Sequence, residues 1–453
     1  MTSAYHALVR RFLAVGLLAL LASLGVWIAV RDGPSEHMAA YVAELRSRGE
    51  PASFADLEPA MPYASDNGAR DLEAALAWLE RRLSRATDEV DEEYWSEHYA
   101  GPWNDALGVP WQSNASAEQL DELRVFLGTF EPFFEHIEAA TRKPEMAWRL
   151  PPPPVEMSAF GPRALFMRWG QARQVLETQT LLASTSVGRQ RALVSLLRLD
   201  RRVRLRLTLD HLLGAFRRKY SCATLRDGVE SGRIDAIAIR PECETILRGR
   251  RVAMMPRLIR THRALLIETF PSLLDGSTSA SLRTVSQLLS EARRPSAWER
   301  ARDAVADRLT GVAFEWREFL AMLQDLDAVI PSDGGWTRKE EQDLTAFAST
   351  WGDGHLPRLC RMLRAGDAME ELARVALAAC EHRAVHGAWP ESAAALAPLF
   401  PDGVPLDPYT DEPFPMTLDG ETLVIRARPP EGAAPKKGET LRDAGLEWRL
   451  PPR

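Results

Sequence analysis

The chain has 453 residues, 45% hydrophobic and 26% charged, a composition that excludes wholesale disorder and leaves room for roughly two to four domains with cores of their own. The net charge of −7 is unevenly spread: residues 163–263 hold 22 Lys/Arg against 8 Asp/Glu, so the middle is basic and both flanks are acidic. The four cysteines, at 222, 243, 360 and 380, include no CxxC pair, which argues against a structural zinc site or a redox dithiol.

Near the N-terminus, Phe12 to Val30 reads FLAVGLLALLASLGVWIAV, 19 residues without a charge. As a helix this rises about 28 Å, one bilayer core. Arg10 and Arg11 precede it, whereas Arg31 is followed by Asp32 and Glu36, so the positive-inside rule leaves residues 1–11 in the cytoplasm and makes 12–30 a transmembrane anchor. The bulk of the chain then lies on the periplasmic or exterior side of the inner (cytoplasmic) membrane. A cleaved signal peptide is the competing reading; its apolar core usually runs about 7–15 residues. The best small-residue cleavage site, Ser23-Leu-Gly25, falls inside the apolar run, which favours the anchor. Export permits disulfides, and Cys222 with Cys243 is the pair that sequence distance suggests.

Beyond the anchor the pattern is helical. Asp66-Asn67 supplies capping residues, and Leu72, Ala75, Leu76 and Leu79 then fall on one face. Apolar stripes recur over 120–139, 164–184, 192–216, 258–270 and 297–323, separated by proline and glycine clusters. The expected fold class is mainly α: a transmembrane helix, a multi-helix body and a small C-terminal antiparallel β-meander, which with the long helix before it makes an α+β module. The regions in order are 31–150, a proline-rich connector at 151–155, a basic helical centre at 156–355, and 356–453.

Two clusters in the body bear chemistry. Tyr94 to Trp111 places five aromatic residues around Glu97, His98 and Asp105. Rings beside carboxylates suit a carbohydrate groove, and paired carboxylates suit glycan hydrolysis, so these three are the candidate catalytic residues; a loop pinned by its tryptophans is the plainer reading. The arginines at 198, 201, 202, 204 and 206 make a basic patch. Outside the cytoplasm nucleic acid is not its ligand, and the acidic flanks of the same chain are its nearest partners.

In CEHRAVHGAWPES, residues 380–392, a thiol, a carboxylate and two histidines crowd together. Asp367 with Glu370 three residues on opens a capping box, and Gly387 followed by Pro390 stops a helix, giving an expected helix over 368–386. Its stripe of Met369, Leu372, Ala376, Ala379 and Cys380 points the thiol into a core. His382 and His386 have the spacing of zinc proteases, but Arg383 stands where the catalytic glutamate belongs. Further on, two extended runs meet at Asp419-Gly420, a hairpin signal, and Leu446 to Leu450 supplies an edge strand.

Gly387-Ala-Trp389-Pro390, then Leu396, then Pro405-Leu-Asp407-Pro408-Tyr409 and Pro413, resembles the C-terminal half of the major pseudopilins of type II secretion. There a helix ends in Gly-x-aromatic-Pro, a short helix follows, and Pro-x-Asp-Pro-aromatic leads into a small meander. The resemblance implies that fold for about 60 residues; an acidic loop holds calcium in some pseudopilins, for which Asp407, Asp411 and Asp419 are the candidate ligands here, with plain solvated turns the alternative. The whole chain is similar to a group of single-pass membrane-anchored bacterial proteins, which implies an architecture and no activity. The function expected is therefore interaction or scaffolding through a protein partner; the alternatives are an envelope hydrolase acting on glycans and an accessory component of a secretion or pilus-like machine.

Overall fold

The computed structural model describes residues 36–53, 56, 62–89, 117–147, 161–204, 208–248, 254–274, 316–331, 336–351, 355–430 and 440–452. Helices run in chain order as α1 (36–47), α2 (Ala69–Glu89), α3 (Ala117–Gly128), α4 (Glu131–Arg142), α5 (Gly161–Leu182) and α6 (Ser186–Arg202). There follow α7 (Thr208–Glu230), α8 (Ala236–Leu247), α9 (Met255–Leu274), α10 (Trp316–Val329), α11 (Arg338–Trp351) and α12 (His355–His386). A two-residue parallel pair joins β1 (Met146–Ala147) to β2 (Val203–Arg204). All other strands, β3 (Leu406–Asp407), β4 (Glu412–Pro413), β5 (Met416–Asp419), β6 (Thr422–Arg426) and β7 (Glu447–Leu450), lie at the C-terminus. The protein is thus mainly helical with small antiparallel sheets at its end. No helix among the described residues is long and apolar enough to cross a membrane, and residues 12–30 lie outside them.

The chain divides into two compact units. In the first, which takes segments up to residue 58 and from 256 to 356, Tyr41, Leu45, Ile267, Phe319 and Leu323 form a small core. Beside it Arg263 is 1% exposed, reaches Asp327 and Glu50, and donates to the Pro51 carbonyl at 2.8 Å. The Tyr41 hydroxyl donates to Asp327 at 2.9 Å; burial first, then the Asp327 charge, pushes its pKa up.

The second unit takes 59–151, 158–255 and 357–453 and gathers one large core around α12. Every residue from 366 to 379 in that helix is buried, so it is wrapped on all sides. The sequence pattern predicts a helix over 368–386 with a single apolar stripe. In the structure the helix starts at His355 and runs straight through Asp367, because Leu356, Leu359, Cys360 and Leu363 extend the buried surface back through that point. Asp367 is therefore an interior residue and not a cap.

Two other expected helices divide. The stripe over 120–139 breaks at Thr129-Phe130, where Pro132 opens α4. The stripe over 192–216 ends at Arg202 because Val203-Arg204 pairs with Met146-Ala147, and α7 starts afresh at Thr208. Of the stripe over 297–323 the part before 316 lies outside the described residues. At the start of α2, Leu72, Ala75, Leu76 and Leu79 are all buried as their spacing predicts. Asn67 is the cap: its Oδ1 accepts the Ala69 and Ala147 N–H groups, each at 3.0 Å, while Nδ2 donates to the Ala147 carbonyl at 2.8 Å. Gly68 beside it lies so close to α4 that a Cβ would sit 2.3 Å from the Ala140 carbonyl oxygen.

In the C-terminal module the sheet order is β5-β6-β7, antiparallel throughout, with β7 at an edge as expected. Asp419 pairs with Thr422, so the turn is Gly420-Glu421, one residue later than the sequence signal placed it. Gly420 has φ 62° and Glu421 is not at positive φ, the requirement of a type II′ turn, for which glycine leads.

Candidate functional site

An α-helix enclosed on every side has to satisfy whatever polar groups it carries inside the protein. α12 carries Arg364, Asp367, Glu370, Glu371 and Arg374, all buried. Arg201 of α6 reaches Glu370 at 2.5 Å. Arg374 bonds Glu244 of α8, with Nε at 3.0 Å, and also Glu371. Arg364 donates to the Pro408 carbonyl at 2.5 Å, and Arg240 of α8 pairs with Glu381 and donates to the Leu399 carbonyl, each at 2.5 Å. Some of the basic centre meets the C-terminal acidic flank, Arg201 with Glu370 inside the fold and Arg248 with Asp402 at the surface, while Arg198 pairs with Glu242 from the basic centre itself. Burial pushes Glu371 above the usual carboxylate range.

A second buried ionic group lies on α5 and α6. Arg173 pairs with Glu177 one turn away and lies 3.4 Å from Asp200, with the Tyr220 ring 5.2 Å from its guanidinium. Two carboxylates share the Arg173 cation, and among the described residues neither Asp200 oxygen has a hydrogen-bond partner. Burial, reinforced by the Asp200 charge and opposed by Arg173, pushes Glu177 up to about 7. Its carboxyl can therefore take or release a proton near neutral pH in a water-poor interior. The Arg173/Glu177 spacing of four is also that of an ordinary surface pair, so the sequence offers no signal of its burial.

The histidine cluster is a helix end. Gly387, at φ 74°, closes α12 by donating to the Arg383 carbonyl at 2.7 Å. Glu381 is taken by Arg240, Arg383 stacks 4.5 Å over Trp389, and Cys380 packs against the core. The His382 and His386 rings lie 4.4 Å apart, with His382 Nδ1 3.2 Å from the Ala388 carbonyl. Among the described residues no group of three His, Cys, Asp or Glu is placed to hold a metal ion. Cys222 and Cys243 are both buried thiols and no disulfide joins them; burial pushes Cys243 up.

Of the three aspartates, Asp407 is fully buried, and its carboxylate accepts the Tyr409 N–H at 3.0 Å and the Arg428 N–H at 2.6 Å. Burial raises its pKa against those two hydrogen bonds. The aspartate of Pro405-Leu-Asp407-Pro408-Tyr409 is thus the internal pin of the meander. Asp411 is exposed at φ 54° in the same turn, and Asp419 lies on β5, 3.3 Å from Arg449. Glu97, His98 and Asp105 lie outside the described residues.

Next to the meander is an open groove of about 380 Å³, lined by Glu391 to Ala394, where a 3₁₀ helix (Ala393–Leu399) starts, by Glu412 to Met416 and by Arg428. No family model, curated protein or solved structure matches this chain.

Proposed function

We propose that the protein is a single-pass, membrane-anchored envelope protein of interaction or scaffold type, held by residues 12–30 and carrying a C-terminal helix-and-meander module that contacts a protein partner. The observation that supports this most is how the module is mounted. Trp448, Leu450, Leu423 and Ile425 sink into the same core as α12, each 1% exposed or less, while the edge strand β5 stays largely exposed, with Leu418 at 64%. A sheet anchored through β6 and β7 and bare at its β5 edge holds a contact surface rigidly. Affinity capture of the full chain from detergent-solubilised envelope, after cross-linking in place, should recover a stoichiometric partner; recovery of the bait alone, or a tagged copy found free in the cytosol, removes the reading.

A role as an accessory component of a secretion or pilus-like machine is the second reading. It is supported by the turn pinned by Asp407, which follows a helix, a Gly-x-Trp-Pro stop and a 3₁₀ helix in the order that the pseudopilin resemblance implies. Absence of any such machine from the captured material would remove it.

A further inference from the structure

The two edges of the C-terminal sheet are treated differently. In a two-residue hairpin the flanking pair is hydrogen-bonded and pairs alternate from there, so Asp419 and Thr417 face β6 while Met416 and Leu418 direct their N–H and C=O groups away from it. The Arg426 N–H bond to the Pro415 carbonyl, 3.3 Å, fits that parity. At the opposite edge the outward N–H of Arg449 is already taken: Glu230, at the end of α7, accepts it at 2.6 Å and is itself held by Arg442. Among the described residues, the outward Arg449 N–H of β7 is thus occupied, whereas no hydrogen-bond partner meets the outward backbone groups of Met416 and Leu418 on β5.

The apolar rows of the sheet also run out at β5. Leu450, Leu423 and Leu418 form one row and Trp448, Ile425 and Met416 another. Their inner members are at most 1% exposed, whereas Leu418 is 64% exposed and Met416 lines the groove. Acidic groups lie near this edge: Glu391 and Glu412 line the groove together with Met416, and Asp419 and Glu421 stand at the β5–β6 turn. Arg428 answers Glu412 at 2.7 Å and Arg449 answers Asp419 at 3.3 Å, while Glu391 and Glu421 have no ion pair among the described residues.

We infer that the β5 edge and the adjoining groove receive an extended segment of a partner protein in which apolar residues alternate with Lys or Arg. The segment adds a fourth strand: its backbone bonds Met416 and Leu418, its apolar side chains continue the two rows into the groove, and its cations meet Glu391 and Glu421. This rests on the interaction role proposed above.

The test uses the full chain in detergent micelles and a blocked, fluorescent Lys-Val-Lys-Val-Lys-Val-Lys peptide, read by anisotropy. Saturable one-to-one binding is expected, with the Glu-Val counterpart not bound. Leu418→Pro removes an outward N–H without removing a β5–β6 hydrogen bond and should weaken binding roughly tenfold or more. Glu391→Lys with Glu421→Lys lies outside the ladder, so it tests the inference even where the proline variant fails to fold, and should weaken binding by roughly the same factor. Equal binding of the two peptides, binding unchanged by the charge reversal or by a folded proline variant, or dimerisation of the chain through β5 in place of peptide binding, would each overturn it. A partner captured equally well by wild type and folded Leu418→Pro leaves the interaction role standing and removes this site.

Discussion

Replacing Glu177 with glutamine tests whether the α5/α6 cluster holds a proton at neutral pH. The wild-type carboxyl is 4% exposed and its pKa rises from 4.5 to about 7 on folding. Between those two values the folded chain holds a proton that the unfolded chain has released, so stability falls as pH rises from 4.5 and levels off above about 7. A shift of that size corresponds to about 3 kcal/mol across the window. Glutamine has no proton to lose, so Glu177→Gln should match wild type near pH 4.5 and exceed it by about 3 kcal/mol near pH 7.5. Burial raises Glu230 and Glu371 too, giving wild-type slopes of the same sign, so the difference between variant and wild type is the quantity to read. Urea unfolding followed by tryptophan fluorescence at half-unit pH steps gives it. Parallel pH profiles for the two proteins would falsify the reasoning.

Glu370 is 2% exposed and loses its Arg201 partner in Arg201→Ala, which should destabilise by about 3 kcal/mol in chemical denaturation; Arg201→Met with Glu370→Met should lose clearly less, because no charge is then left buried. Asp407→Ala strands the Tyr409 and Arg428 N–H groups and should lower stability by roughly 2–4 kcal/mol, with Asp407→Asn less damaging because one oxygen remains; equal melting points for the two would contradict the pin. Gly68→Ala drives a Cβ against the Ala140 carbonyl and should cost about 1–3 kcal/mol by thermal unfolding, an outcome that a neutral substitution would refute.

Local features of the fold were legible wherever the physics is local. The α2 stripe, the Gly387 stop and an antiparallel hairpin with a further edge strand follow from side-chain period, positive φ and turn chemistry. Legibility failed where the deciding partner is distant. Arg374 and Glu371 lie off the apolar stripe predicted for this helix, and their burial is made tolerable by partners such as Glu244, about 130 residues earlier. In the same way Val203-Arg204 leaves its helix for Met146-Ala147, a pairing no window around residue 203 contains. The candidate site divides likewise. The histidine pair has the local pattern of a helix end and stands at one, whereas Arg173, Glu177 and Asp200 carry no pattern separating them from surface charges.

The position of α12 has a consequence for how the chain is made. Its buried stretch, 366–379, shares one core with Leu72 and Leu79, so nearly three hundred residues must leave the ribosome before the earliest helix of that unit meets its central support. Closing loops of such length is slow, and apolar surface stays uncovered meanwhile. This unit therefore completes its folding only after synthesis is almost finished, and a nascent chain halted before residue 366 presents unsheltered leucines for chaperones to hold.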